Sequence, residues 1–300
     1  MDPSSPRLFC FGLGYVGLAV ARDRLAAGWR VAGTARDPGR LARAAAAGIE
    51  VHRFAGDAPL DPAVLAGTTH LISTAAPDGA RDPVLAALAP AIRALPGLQW
   101  VGYLSSTGVY GDRGGGWVDE DVAPQPSGPR GRHRLQAEEA WRDLWRHHGS
   151  PVHVFRLAGI YGPGRSAIDQ MRAGAARRIV KPGQFFSRIH RDDIVAVLRA
   201  SMAAPRPGSV YNLADDLPAA PDEVVAYAAG LLGVDPPPAE PYAEAEATMS
   251  PMARSFYADN RRISNRRIRQ DLGVALAYPT YREGLSAIAA TLPAPGPSGG

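Results

Sequence analysis

Gly12-Leu13-Gly14-Tyr15-Val16-Gly17 follows the apolar run Leu8–Phe11 and opens an amphipathic stretch, Tyr15–Ala27, that stops at Gly28. Its spacing fits G-x-G-x-x-G, and its context gives the match weight: a strand before it, a helix after it, and a second strand about 20 residues beyond the first glycine. Each glycine has a task. Gly12 permits the tight turn, Gly14 lets backbone approach a diphosphate, and Gly17 lets helix and sheet pack closely. The unpaired N–H groups and positive dipole end of the helix then hold the phosphates. Gly12, Leu13, Gly14, Tyr15, Val16 and Gly17 are therefore the first candidate cofactor-binding residues.

Outward from this turn, strand and helix patterns alternate. Arg30–Gly33, Glu50–Phe54, His70–Ser73, Trp100–Ser105 and Val152–Leu157 read as strands. Stretches near Pro38–Ala47, at Pro83–Ala94 and at Arg132–His148 read as helices. That alternation predicts an α/β fold, a Rossmann-type doubly wound parallel sheet covered by helices on both faces. Beyond about residue 160 the alternation fades. Helices are expected near Ala167–Ala175, at Asp192–Ala203 and Pro221–Leu232, and near Asn265–Leu272 and Tyr281–Ala290, with an extended run at Val210–Leu213. We expect a nucleotide-binding core over residues 1–160 and, interleaved with it, a small substrate-facing lobe over 161–292. The Pro/Gly/Ser tail 293–300 is expected to be disordered.

Composition bounds the rest. The chain has 300 residues, 46% hydrophobic and 21% charged, which excludes global disorder. A net charge of +4, from 33 basic and 29 acidic residues, is spread along the chain and does not point to nucleic acid. A single cysteine, Cys10, excludes a disulfide framework and a multi-thiolate metal site and fits a reducing, cytoplasmic setting. No stretch has the length of a membrane span, and the start Met-Asp-Pro leads into glycine turns rather than a signal peptide. No P-loop pattern appears, and the one G-x-S-x-G match, Gly296-Pro297-Ser298-Gly299-Gly300, falls in the Pro/Gly/Ser tail and not between a strand and a helix, so hydrolase and ATPase readings have no support.

The cofactor is chosen at the end of the second strand, Val31-Ala32-Gly33-Thr34-Ala35-Arg36-Asp37. An NAD site wants a carboxylate there for the ribose 2′-hydroxyl. Here the first charge is Arg36, and a guanidinium with the Thr34 hydroxyl suits a 2′-phosphate, so NADP is favoured. Asp37 keeps NAD open. Asp57, in the loop after the third strand, is placed to reach the adenine.

Four blocks in order make the sequence resemble the extended and atypical short-chain dehydrogenase/reductase superfamily, the NAD(P)-dependent epimerase/dehydratase branch in particular. They are the glycine turn, Leu104-Ser105-Ser106-Thr107-Gly108-Val109-Tyr110-Gly111, Arg156-Leu157-Ala158-Gly159-Ile160-Tyr161-Gly162-Pro163-Gly164, and Ile189-His190-Arg191-Asp192-Asp193-Ile194. The resemblance spans roughly residues 7 to 290. Ala75-Ala76-Pro77 after the fourth strand and Tyr278-Pro279-Thr280-Tyr281-Arg282-Glu283-Gly284-Leu285 near the end look like an atypical subgroup, and Ala75 and Ala76 join the candidate cofactor contacts. The resemblance implies that Ser106 hydrogen-bonds the reacting oxygen. It also implies a tyrosine donor four residues before a lysine on the next long helix. Arginine stands in both places, at Arg130 and Arg134, and Lys181 is the only lysine of the chain. Arginine keeps its proton above pH 12, so Arg130 cannot deliver one near neutrality. A placed general acid supplies roughly 10²–10⁴-fold, and a substitute is needed for that factor. Tyr110, Tyr161 and His133 are the substitutes, and Tyr110 is favoured because it shares the block of Ser106. Arg130 suits a phosphate or carboxylate on a small-molecule, anionic substrate, and Arg134 suits ribose hydroxyls. Pairing through Pro83–Ala94 and Arg132–His148 into a homodimer is a further implication of the family.

Other polar residues read more plainly. Adjacent His147 and His148 diverge on a helix and make no metal site. His190, Asp192 and Asp193 stand where a carboxylate caps a helix start, with His190 lining the site as the alternative, and Arg156 suits either a substrate phosphate or a pairing with Asp192 or Asp193. Arg254, Arg261, Arg262, Arg266, Arg267 and Arg269 read as a solvated basic helix face. The sequence and the resemblance thus predict an NAD(P)-dependent oxidoreductase or epimerase/dehydratase-like enzyme acting on a carbonyl or secondary alcohol, with a nucleotide-sugar-like substrate among those the resemblance implies. The alternative is a non-catalytic NADP(H)-binding sensor that has lost the Tyr/Lys pair.

Overall fold

The computed structural model describes residues 5–55 and 59–293. Asp57 and the tail residues 294–300 lie outside the described residues. The first strand, β1 (Arg7–Phe11), is buried along its whole length, as a central parallel strand with helices on both faces must be. Around it lie β2 (Arg30–Ala35), β3 (Glu50–Arg53), β4 (His70–Ser73) and β5 (Trp100–Ser106). The short β6 (Trp117–Val118) follows, then β7 (Val152–Leu157), β8 (Gly159–Tyr161), β9 (Arg178–Val180), β10 (Arg188–His190), β11 (Val210–Leu213), β12 (Ala239–Pro241) and β13 (Arg262–Ile263). One seven-stranded sheet runs β11-β7-β5-β4-β1-β2-β3 with parallel pairing throughout. The chain reverses its direction of travel at β1, so the crevice beyond the ends of β1 and β4 is the topological switch point where such sheets take ligands. The α/β Rossmann-type architecture expected from the alternation is observed.

Helices flank the sheet: α1 (Tyr15–Ala26), α2 (Pro38–Ala46), α3 (Pro83–Arg93) and α4 (Pro129–His148) in the first half. The second half carries α5 (Ala167–Arg172), α6 (Arg191–Ala203), α7 (Pro221–Leu232), α8 (Tyr242–Ala245), α9 (Pro251–Ala258), α10 (Arg266–Leu272) and α11 (Tyr281–Ala290). Their starts are written locally. Asp37 and Asp82 cap α2 and α3 with a proline at the first turn, and Thr280 and Glu283 form a capping box on α11. Gly149, Gly233 and Gly273 end α4, α7 and α10 in the left-handed conformation.

Side-chain alternation along the strands sorts the core into two layers. Leu8, Cys10, Trp100, Phe155 and Tyr211 face α1 and α6. Phe9, Phe11, Val101 and Tyr103 face α3 and α4, where the Tyr103 ring stacks on Trp141. A third cluster, Tyr161, Ile168, Val224, Ala228, Tyr281 and Leu285, joins α5, α7 and α11. The C-terminal half does not stand apart, because β11 completes the main sheet against β7.

The basic stretch from Arg254 to Arg269 departs from its reading as one solvated helix face. It is cut into α9, β13 and α10. Arg261 donates to the Gly111 carbonyl and pairs with Asp259, and the Arg262 guanidinium lies 3.8 Å from the Phe185 ring centre. Arg267 and Arg269 pair with Asp121 and Asp216. These arginines hold the C-terminal half against the core. Among the described residues no helix is long and apolar enough to cross a bilayer.

Candidate active site

The glycine turn is shaped from three sides. Gly12 has φ +100° and a Cβ there would meet Thr74 Oγ1 at 2.4 Å, while Thr74 Oγ1 itself donates to the Gly12 carbonyl at 2.7 Å. A Cβ on Gly17 would stand 2.1 Å from the Gly12 carbonyl oxygen, so helix and turn touch through backbone. We expect Gly17→Ala to lower stability by about 1–3 kcal/mol through overpacking and to abolish dinucleotide binding with it. Urea unfolding together with calorimetric titration checks both. Unchanged stability would show that the turn is looser than its contacts imply.

Gly14 differs from its neighbours, since a Cβ there would have only the Arg40 guanidinium nearby, at 3.8 Å. It begins α1 without a side-chain cap, so the first N–H groups of the helix have no capping side chain. Donors without partners beside a backbone with room are what a diphosphate needs, and the chain's residues fit a dinucleotide here. Val16 and Leu13 turn their side chains into the core. The Leu13 N–H is already bonded to the Thr34 carbonyl, so Leu13 builds the turn and has no donor left for phosphate. Tyr15 donates its hydroxyl to the Pro163 carbonyl at 3.0 Å, fastening the turn to the loop after β8.

Thr34 needs correction. It is 3% exposed and its Oγ1 accepts the Gly12 N–H at 3.2 Å, so it braces the turn from beneath and does not face a ribose. Arg36 is exposed just beyond β2. The Asp37 carboxylate accepts the Arg40 N–H at 2.8 Å as the cap of α2. Arg40, which nothing in the strand-end pattern singled out, reaches back toward Gly14.

The second half of the site lies beyond β4 and β5. Thr74 bonds back to the Phe11 carbonyl, so Ala75 and Ala76 follow directly beside the glycine turn, half-buried and exposed. Ser106 ends β5 half-buried, and its Oγ accepts the Gly108 N–H at 3.1 Å, which leaves its own hydrogen to donate. α4 starts three residues earlier than the Arg132–His148 pattern indicated, because Pro129 suits the first helical position. A Cβ on Gly131 would lie 2.9 Å from the Gly108 carbonyl, so the first turn of α4 rests on the turn after Ser106. That brings both arginines to the strand ends. Arg134 Nη1 donates to the carbonyls of Leu104 (3.2 Å) and Ala75 (3.4 Å) and to the Tyr103 hydroxyl (3.1 Å). Arg130 is exposed, with its guanidinium 5.8 Å from the Phe256 ring centre.

Tyr110 belongs elsewhere. Its ring is fully buried, its hydroxyl donates to Asn212 Oδ1 at 2.8 Å and accepts from Arg156 at 2.8 Å, and burial pushes its pKa up. A hydroxyl so enclosed cannot meet a substrate, and the preference for Tyr110 as proton donor falls. Tyr161 is 6% exposed and donates to the Thr280 carbonyl, which removes it too. His133 is half-buried, and no described residue takes its ring nitrogens.

Arg156 also has a different partner from the one expected. It faces α4 and pairs with Glu138 at 2.5 Å, both side chains buried, while Ser105 donates to the other Glu138 oxygen at 2.8 Å. Asp193 instead accepts the N–H groups of Ala277 and Tyr278. The cap of α6 is not the expected carboxylate but His190, whose Nδ1 accepts the Asp192 N–H at 3.2 Å, and burial pushes its pKa down to about 4.

With this geometry in view, three likenesses matter. The family described as the NAD dependent epimerase/dehydratase family matches residues 83–214. A conserved protein from Silicibacter pomeroyi, described as functionally unknown, is 48% identical over 95% of this chain and 99% of its own, with a TM-score of 0.86. The UDP-glucuronic acid 4-epimerase from Bacillus cereus, solved with UDP-glucuronic acid and NAD, shares the fold at 16% identity, with TM-score 0.77 and coverage of 95% and 98%. The family likeness covers residues 83–214, and the fold likeness covers nearly the whole chain. Protein YeeZ of Escherichia coli (strain K12) is a further relative, 27% identical over 75% of this chain and 84% of that protein. Within the family fold, Ser106 ends its strand beside the two arginines of α4, and the matched segment 83–214 contains all three.

Proposed function

We propose that the protein binds a nicotinamide dinucleotide at the glycine turn, NADP in preference to NAD, and acts on a carbonyl or secondary alcohol of an anionic small molecule. The observation that carries this reading is the anchoring of Arg134. Two strand-end carbonyls hold its guanidinium, so a fixed positive charge stands beside Ser106 and next to the seat of the dinucleotide. The bound cofactor would supply the hydride chemistry. Gly14 and the first N–H groups of α1 hold its phosphates. Arg36 and Arg40 supply positive charge for a 2′-phosphate, and Asp37 is engaged in capping α2 rather than free for a 2′-hydroxyl. Ser106 donates to the substrate oxygen. Arg134 adds electrostatic stabilisation at the same end, and His133 is the candidate left for proton exchange once Tyr110 and Tyr161 are set aside.

Calorimetric titration of the purified chain tests the cofactor assignment. NADPH is expected to bind about tenfold or more tighter than NADH, and Arg36→Ala with Arg40→Ala to erase that preference. Failure of both coenzymes to bind overturns the proposal.

The arginine at the donor position favours a second reading, a non-catalytic NADP(H)-binding sensor. A carbonyl screen separates the two. Hydride transfer lost in Ser106→Ala supports the enzyme, and tight NADPH binding without turnover on any carbonyl supports the sensor.

A further inference from the structure

The helix α9 has one face fastened and one face bare. Tyr257 is buried, stacks on Tyr242 with ring centres 5.1 Å apart, and meets Phe186 edge-on at 5.1 Å. Lys181 Nζ donates to the Tyr257 carbonyl, and Ser250 caps the helix start. One turn apart on the other face, Met252 and Phe256 are 57% and 56% exposed. Isolated exposed apolar side chains need no explanation, but two at i and i+4 on a tethered helix form a patch.

Arg130 borders that patch. Its guanidinium lies 5.8 Å from the Phe256 ring centre, and no described carboxylate stands within ion-pair distance of it. Arg142, Arg146, Arg156, Arg177, Arg267 and Arg269 all have acidic partners. Arg130 precedes Arg134 by one helical turn, about 5–6 Å, so its free charge stands close to the strand-end site.

We propose that Phe256, Met252 and Arg130 form a substrate seat for a planar ring bearing an anionic group, an aryl or heteroaryl phosphate or carboxylate. The ring stacks on Phe256 over the apolar face of α9, and the anion takes paired N–H bonds from Arg130. The patch alone would accept any apolar group, and the arginine alone any anion. Their contact selects a ligand with both. The inference rests on the preceding reading, because it places that ligand one turn from the residues assigned to the reacting oxygen.

Titration of the full chain, with and without saturating NADPH, with phenyl phosphate, cyclohexyl phosphate and inorganic phosphate tests it. Phenyl phosphate is expected to bind about fivefold tighter than cyclohexyl phosphate and about tenfold tighter than inorganic phosphate. Phe256→Leu keeps an apolar side chain at an exposed position, and it should abolish the phenyl preference while leaving NADPH affinity unchanged. Arg130→Gln should weaken all three phosphates about tenfold. Equal binding of the phenyl and cyclohexyl esters, or a phenyl preference that survives Phe256→Leu, overturns the seat. Phenyl discrimination without NADPH binding keeps the seat and overturns the redox reading.

Discussion

Arg156→Met is expected to lower the unfolding free energy by about 3–5 kcal/mol, the largest loss from any single substitution considered in this protein. The cause is the group left behind. Glu138 has no exposure, and its carboxylate keeps one bond, from Ser105, when the guanidinium is removed. Burial opposes the charge on Arg156, yet its bonds to Glu138 and that carboxylate's own charge push its pKa up, so Arg156 keeps its charge in the folded state. Tyr110 loses a partner in the same step, because Arg156 Nη1 donates to its hydroxyl. The double variant Arg156→Met, Glu138→Leu should recover a large part of the loss, since an apolar pair of similar volume leaves no bare charge. Urea unfolding of the wild type and the three variants checks both statements. A double variant no better than Arg156→Met would show that geometry, not uncompensated charge, sets the cost. Because Glu138 lies one turn beyond Arg134 on the same helix, the ion pair also keeps α4 pressed to the strands that Arg134 touches.

The second large effect has the opposite sign. Asp215 is 1% exposed, and no side chain among the described residues hydrogen-bonds its carboxylate. Burial raises its pKa from 3.8 to about 8 against the opposing pull of Arg188. The folded protein therefore holds a proton that the unfolded chain releases near pH 4. Stability from this group is full below that point and is lost as pH rises toward 8. Asp215→Asn removes the dependence. Its unfolding free energy relative to wild type should be near zero at about pH 4 and grow by on the order of 4 kcal/mol between about pH 5 and pH 8. His70, His153 and His190, each pushed down to about 4 by burial, destabilise the fold in acid but do so in both proteins and cancel in the difference. A difference that stays flat with pH would mean that Asp215 is ionised throughout.

Much of the sheet could be read from local signals, and the reasons are physical. Strands such as β1 are buried on both faces and spell uninterrupted apolar runs, and α2, α3 and α11 carry their own caps. The glycine turn was legible for the same reason, since its roles concern backbone within a few residues. β6 and β13 were not legible. They are two-residue pairings between distant segments, and nothing in Trp117-Val118 alone announces Arg262-Ile263. Side-chain partners failed similarly. Thr34 looked like a ribose contact until the Gly12 N–H claimed its hydroxyl. Tyr110 looked available until Arg156 and Asn212, from two other strands, met at its oxygen. Register explains the miss with Arg156: it pairs with Ser105 across β5 and β7, and both side chains face α4, where Glu138 waits. Phe256 had no sequence signal, because its meaning lies in its distance from Arg130.

The return of β11 to the main sheet has a consequence for how the molecule is made. While the ribosome is still threading out the segment before residue 210, β7 is a terminal strand with a bare row of amide and carbonyl groups. The first half of the sheet therefore cannot finish ahead of the rest during synthesis. A nascent chain stalled before Leu213 emerges would offer a sticky border to its neighbours, and cells making it quickly would lean on chaperones at that stage.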